Sequence, residues 1–471
     1  MTLQTKVVPS LREAILRAGL RDGMTLSFHH HLRDGDNVLN TVLAECSLMG
    51  LKDLTVNASA IMGCHRPLLD FIEDGTVTGI ECNFMHANVG RSISRGLLKR
   101  EVIFRSHGGR PAAMERGESP VHAAFIAASA ADAAGNCNGK EGIAAFGSIG
   151  YAMPDAEHAD YVIVLTDHLV EYPLMDASIT EDRVDAVVVV DSIGDPKRIM
   201  SGTTRVTRDP IGLLIAEQTA RAVQASGLLR DGFSFQTGAG GTSLAVASYL
   251  GGIMRERGIT GRFASGGITG LLVDLMKEGL FETLLDVQCF DREAVESIRE
   301  NARHGEISAS RYASPTARTA VVDHLDVVIL GATEIDTDFN VNVHTDSNGV
   351  IMGGSGGHSD TAAGAKLSVI VAPLVRARLP LIVDRVGTIS TPGEDIDLLV
   401  TQYGIACNPK QAELSEKLRD AGLPVFSIHD LKARAESITG RPARIESSGR
   451  TVARVISREG DLLDEIRTVM G

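Results

Sequence analysis

Tryptophan is absent from the chain, and aromatic residues together make up only 4% of it. Proteins that stack bases or sugar rings need such faces, which argues against single-stranded nucleic acid and carbohydrate as ligands. Basic residues are also in short supply: 46 Lys and Arg stand against 60 Asp and Glu, a formal net charge of -14, with no dense basic cluster to follow a phosphate backbone. Cysteine is sparse. Cys46, Cys64, Cys82, Cys137, Cys289 and Cys407 form no CxxC pair and lack zinc-site spacing, so free buried thiols and no metal are expected. No run is long and apolar enough to span a bilayer, and no apolar stretch follows a basic one at the start; a cytoplasmic chain without membrane contact is expected. A small polar ligand is what these absences leave.

What is present is a duplication. Gly19-Leu20-Arg21-Asp22-Gly23 leads into an apolar run, and so does Leu229-Arg230-Asp231-Gly232. Ala124 to Ala128 precedes Asp132, Asn136 and Asn138, while Val327 to Gly331 precedes Asp336, Asn340 and Asn342. Gly147-Ser148-Ile149-Gly150 and Gly354-Ser355-Gly356-Gly357 each lie before a β-branched run. Three ordered matches at nearly constant offset read as two copies of one fold, which suits 471 residues. The expected domains are 1–222 and 223–471, with the boundary near a helix at Pro210 to Ser226.

Short β-branched runs without polar alternation, at Ala186 to Val190, Val327 to Leu330, Ser368 to Val371 and Leu381 to Val383, predict strands buried on both faces. Helices are predicted over Leu11 to Arg17 behind a Ser10 cap, over Asp274 to Gly279 and over Pro409 to Asp420. The fold class is therefore α/β, a tandem of two similar, open, mostly parallel sheets with ligands beyond the strand ends.

Five loops at such ends carry candidate chemistry. His29-His30-His31 with Arg33 offers a polyanion site, or an alternation of core and solvent. Arg105-Ser106-His107-Gly108-Gly109 offers a guanidinium fork, a hydroxyl and backbone N–H groups to a carboxylate, or a solvated turn. The loops at Gly238 and Gly240, and at Ser265, Gly266 and Gly267, could point N–H dipoles at an oxyanion, or simply pack tightly. Gly353-Gly354-Ser355-Gly356-Gly357-His358 has four glycines in five positions, which implies something packed against bare backbone; a ligand is expected there.

The strings Phe104 to Arg110, Ser27 to Asp36, Val187 to Pro210 and Gly353 to Ser368 resemble the alpha subunit of citrate lyase, with a likeness running over almost the whole chain. The second half is more distantly similar to CoA-transferases at large, through Leu325 to Asn342 and the Gly353 loop. The resemblance implies a CoA-transferase-like tandem that exchanges acetate for citrate on a thioester. It also implies a beta (lyase) and a gamma (acyl carrier) partner with a CoA-like prosthetic group, and a homo-oligomer within that complex. Related enzymes carry a nucleophilic glutamate in a Ser-Glu-Asn-Gly turn; here the turn reads Ser265-Gly266-Gly267-Ile268. That departure implies direct carboxylate attack, with N–H donors at Gly238, Gly240, Gly266, Gly267, Gly356 and Gly357. Citrate is expected at His29, His30, His31, Arg33, Arg105, Ser106, His107, Gly108 and Gly109. The carrier is expected at Ser265, Gly353, Gly354, Ser355, His358 and Asn340. Two rivals stand beside this reading: a free-CoA transferase with Glu334 as covalent nucleophile, and a non-catalytic docking scaffold. Cys64 and His65 receive no role.

Overall fold

A computed structural model describes residues 5–200, 205–442 and 449–469. Residues 201–204 of the Val187 to Pro210 string, residues 1–4 of the first expected domain, and residues 443–448 and 470–471 of the second lie outside the described residues.

Two large sheets carry the chain. The first contains, in spatial order, Val7–Val8, Ala186–Val189, Val162–Thr166, Ala123–Ala128, Thr25–Phe28, Leu54–Ala58, Val77–Cys82, Val102–Phe104, Thr451–Ile456 and Leu462–Arg467. The second contains His304–Glu306, Phe281–Cys289, Gly261–Ile268, Ser234–Thr237, Val327–Leu330, Leu367–Val371, Leu398–Thr401, Gly404–Cys407 and Val425–Phe426. Seven strands of each follow the same connectivity: from Thr25–Phe28 and from Ser234–Thr237 the chain winds outward on one side, returns through Ala123–Ala128 or Val327–Leu330, and winds out on the other. All pairings among these fourteen strands are parallel. Their side chains are almost wholly buried, as unalternating apolar runs require.

The repeat extends to hydrogen bonds. Asp132 Oδ1 accepts from the N–H groups of Ala134, Gly135 and Asn136, and its Oδ2 accepts from Asn136 Nδ2. Asp336 Oδ1 accepts from Asp338 and Asn340, and its Oδ2 from Asn340 Nδ2. Asn340 thus closes an Asx turn in the second half as Asn136 does in the first.

Several elements fall where the sequence predicts them. Ser10 Oγ accepts from Glu13 N at the head of Leu11–Arg17, and Asp209 caps Pro210–Ser226. Others do not. The helix placed at Asp274 to Gly279 is Gly270–Lys277, and Pro409 to Asp420 shortens to Ala412–Asp420. Ile382–Val383 joins a small sheet beside Glu334–Asp336; the main-sheet position belongs to Leu398–Thr401. The helix Pro210–Ser226 packs entirely into the second core through Ile215, Ala216 and Val223. The hairpin Thr451–Ile456 with Leu462–Arg467 crosses back and pairs with Val102–Phe104. Among the described residues no helix is long and apolar enough to cross a membrane.

Candidate active site between the two halves

Thr25–Phe28 is buried and ends with Phe28 stacked on Phe125 at 5.6 Å. The chain then runs through His29, His30 and His31, and all three are buried instead of alternating between core and solvent. His30 stacks on Tyr151 at 5.1 Å and on His107 at 5.9 Å; His31 stacks on Phe146 at 5.5 Å and on Tyr151 at 5.6 Å. The second half holds this group from outside: Gln288 Nε2 donates to His30 O at 2.9 Å, and His107 N–H donates to Gly356 O at 2.8 Å. The ring nitrogens Nε2 of His29, Nδ1 of His31 and Nδ1 of His107 are buried without a hydrogen-bond partner, and Nδ1 of His29 lies 3.6 Å from Asp155 Oδ2. Orphaned polar atoms at such density call for a ligand, because each costs about 1–3 kcal/mol while unpaired.

Burial lowers His29 to about 4 and His107 to about 3, with His30 and His31 also driven well below the ordinary imidazole value. The triple histidine is therefore neutral near pH 7 and offers hydrogen bonds, where the sequence suggested a set of cations. Two cations adjoin these rings: Arg110, paired with Asp155 at 2.7 Å and acting on His29 and His107, and Arg33 beside His30, which takes a left-handed φ of 51° and lies 4.7 Å over the Phe290 ring. A non-glycine residue there is uncommon.

The Arg105 loop is used differently from the expectation. Ser106 Oγ donates to Asp360 Oδ1 at 2.5 Å, Gly108 N–H donates to Asp360 Oδ2 at 2.9 Å, and Gly109 N–H donates to Ser106 Oγ at 3.0 Å. A carboxylate from the second half of the chain occupies the donors foreseen for substrate. Burial raises Asp360 to about 7. Arg105 pairs with Glu81 at 3.3 Å and Glu118 at 3.9 Å, so its fork is engaged away from the imidazoles.

The glycine loops are largely close approaches of protein to protein. A Cβ would lie 2.2 Å from Val343 O at Gly353, 2.2 Å from Asn83 O at Gly354 and 2.5 Å from Tyr312 Oη at Gly357. Protein from both halves thus packs on this loop where a ligand was expected: Asn83 from the first, Val343 and Tyr312 from the second. Gly356, with φ 53°, faces His107 Nε2 and donates its N–H to Asn83 O. Gly266, with φ 98°, abuts the Gln236 amide, and Gly267 abuts the Phe290 ring. Ser265 Oγ donates to Gln236 Oε1 at 3.0 Å, and Gln236 donates on to Tyr312 Oη at 2.7 Å. Gly238 N–H donates to Ile329 O, and Gly240 caps the helix Gly241–Arg257. Ser355 bonds Ser359; His358 bonds Thr391 and Gly331 O.

Glu334 lies on the small sheet with Asn342 Nδ2 at 3.3 Å and Gly387 N at 3.4 Å. It lines a cleft of about 820 Å³ together with Arg385, Arg441 and Arg467. Those arginines come from three distant stretches, so nothing in their local sequence grouped them. Tyr151, Gln288 and Phe290 were missed as well. Tyr151 directly follows a loop that the duplication had marked, and that adjacency was the available signal.

The citrate lyase alpha-subunit family model (CitF) matches residues 4–469. The citrate lyase alpha chain of Klebsiella pneumoniae is 49% identical over 466 residues, covering 99% of this chain and 92% of that one. The citrate lyase alpha chain of Escherichia coli K12 is 48% identical, with 98% and 91% covered. Among solved structures, a Streptococcus mutans chain assigned as an alpha subunit of citrate lyase and crystallised with citrate superposes at TM-score 0.98 and 46% identity, covering 100% of this chain and 92% of that one. A malonate decarboxylase alpha subunit from Acinetobacter baumannii, 17% identical with TM-score 0.68 over 93% of this chain and 96% of that one, shares the fold.

Proposed function

This chain belongs to the citrate lyase alpha-subunit family, and on that premise we propose that it is the citrate CoA-transferase component, exchanging acetate for citrate on a carrier thioester. The observation that carries the reading is the set of orphaned, neutral imidazole nitrogens of His29, His31 and His107 beside the Arg33 guanidinium. A tricarboxylate accepts from several such donors at once, and Arg33 supplies the charge. The citrate in the Streptococcus mutans structure supports this ligand class.

The chemistry needs no protein nucleophile. A citrate carboxylate oxygen attacks the acetyl carbonyl carbon, the thiolate leaves to give a mixed anhydride, and the thiolate then attacks the citryl carbonyl while acetate departs. Each addition places a charge on a carbonyl oxygen, and a preorganised donor there is worth ~10²–10³ in rate. The amides of Gly238 and Gly356 already donate to backbone carbonyls. Imidazole N–H groups of His31 and His107 are the better candidates for that work, with Gly240, Gly267 and Gly357 as further donors. Closing the site on Tyr151 and Phe146 excludes water, which would hydrolyse the anhydride.

The thioester arrives on the CoA-like prosthetic group of an acyl carrier subunit, with a lyase subunit completing a cytoplasmic complex. The cleft beside Glu334 is a candidate for the arm by its size, about 820 Å³; its arginines Arg385, Arg441 and Arg467 share the lining with Glu334, Asp384, Glu436, Asp464 and Glu465, and Arg441 and Arg467 are paired with them, so the cleft carries no excess of positive charge. Label exchange between citrate and acetyl-CoA by the isolated chain, without oxaloacetate, is the test. Oxaloacetate from this chain alone, or tight citrate binding with no exchange, overturns the assignment.

A further inference from the structure

Asp286, Cys289 and His304 meet in the interior of the second half. Their ligand atoms lie within 4.8 Å of one another, and all three side chains are buried. Asp286 and Cys289 share the strand Phe281–Cys289, and His304 opens the neighbouring strand. Asp286 Oδ2 takes both contacts, with His304 Nε2 at 2.9 Å and Cys289 Sγ at 3.0 Å. Its Oδ1 is buried with no hydrogen-bond partner. The far nitrogen of His304, Nδ1, is fixed by Ser297 Oγ at 3.0 Å.

We propose that these three side chains form a closed structural site for a zinc-type divalent cation. The donor set fits: one thiolate sulfur, one imidazole nitrogen and a carboxylate, whose two oxygens together take one broad coordination position. Tetrahedral zinc, with bonds of about 2.0–2.3 Å, sets its donors roughly 3.3–3.8 Å apart, so the side chains need only small rotations. Charge fits as well. A dication with one thiolate, one carboxylate and one neutral imidazole sums to zero, whereas a sealed Asp286 with one unpartnered oxygen is costly. Ser297 holds the imidazole by its second nitrogen, the support found behind metal-bound histidines. The first half seals the site: Ser148 Oγ donates to Asp286 O at 3.0 Å, and Gly147, with φ 89°, passes so close to Cys289 Sγ that an added Cβ would lie at 2.3 Å. The same strand leads directly to Gln288 and Phe290, so the ion would brace the segment under His30 and Arg33. This revises the expectation of a metal-free chain, and it stands independently of the transferase reading.

The test is to produce the full chain in medium supplemented with Co²⁺. Stoichiometric cobalt with a thiolate-to-cobalt charge-transfer band, lost in Cys289→Ser and bleached by Zn²⁺, is the expected result. Ser297→Ala, outside the ligand set, should keep the band but release cobalt to a chelator at ~10–100-fold weaker affinity. Cobalt at background level in the folded wild-type chain, or a band that survives Cys289→Ser, overturns the site. Neither result touches acyl exchange, so the two proposals fail separately.

Discussion

Asp360 grips Ser106 across the two halves of the chain, accepting from its hydroxyl at 2.5 Å while its other oxygen takes the Gly108 N–H at 2.9 Å. Burial raises this carboxyl to about 7. Because the folded value lies above the unfolded one of about 4, the folded state holds its proton longer. The stabilisation is complete below about pH 4 and is lost as pH rises through about 7. Asp360→Asn keeps an acceptor for Gly108 and removes the titration. The wild-type minus variant difference in urea midpoint should therefore shrink steadily between about pH 4 and 7. A difference that does not vary with pH refutes the linkage.

Arg33 and Arg105 should separate cleanly. Arg33→Lys loses the planar fork and its stacking on Phe290, and the expected loss is on the order of 1.5–3 kcal/mol in citrate binding, about 10–100-fold, with little effect on acetyl-CoA. Arg105→Lys disturbs an ion pair with Glu81 and should change citrate affinity much less. Isotherms for both substrates on both variants decide it; equal losses for Arg105→Lys and Arg33→Lys contradict the placement.

Neutral histidines make a further claim. With His29 near 4 and His107 near 3, the affinity for the citrate trianion, corrected for citrate's own titration, should show no inflection at the ordinary imidazole value of about 6.5. Bound carboxylates raise both groups, so citrate binding near pH 5 should take up protons. Calorimetry in buffers of different ionisation enthalpy reads this once the protons carried by free citrate at that pH are subtracted, and no net uptake by the chain would mean that the imidazoles were charged before citrate arrived.

The architecture was legible because it is written twice. Asp132 with Asn136 and Asp336 with Asn340 make the same Asx turn, and recurring local chemistry survives in sequence. The hairpin Leu462–Arg467 was not legible, since nothing local tells an edge strand which of two similar sheets it will join. Loops at strand ends pointed to the site, but not to the partners of its atoms. Arg105 and the Gly353 loop look available in sequence; Glu81, Asn83 and Asp360 occupy them in three dimensions.

Gly267 links packing to substrate. A Cβ there would lie 2.2 Å from the Phe290 ring, which carries the Arg33 guanidinium on its face. Gly267→Ala should push the ring and weaken citrate, raising KM more than it lowers kcat. Phe290→Leu, which removes the platform without the clash, should act in the same direction. A Gly267→Ala enzyme with unchanged citrate KM breaks the link.

The last prediction concerns the nucleophile. The resemblance to CoA-transferases implies a glutamate where this chain has Gly266, and that glycine sits at φ 98° with the Gln236 amide 2.7 Å from where a Cβ would be. A side chain there is strained and obstructed, so Gly266→Glu should not create a covalent route. Glu334 is the remaining rival, because it borders the cleft proposed for the thioester. Its carboxylate accepts from Asn342 and from Gly387 N, a supporting arrangement that Gln can largely reproduce. Glu334→Gln should therefore keep activity within about ten-fold, roughly one lost hydrogen bond of 0.5–1.5 kcal/mol. A nucleophile would instead lose nearly all activity and give ping-pong kinetics. Mass spectrometry of the chain after incubation with acetyl-CoA should find no thioester on Glu334, and finding one would replace direct attack by the covalent mechanism.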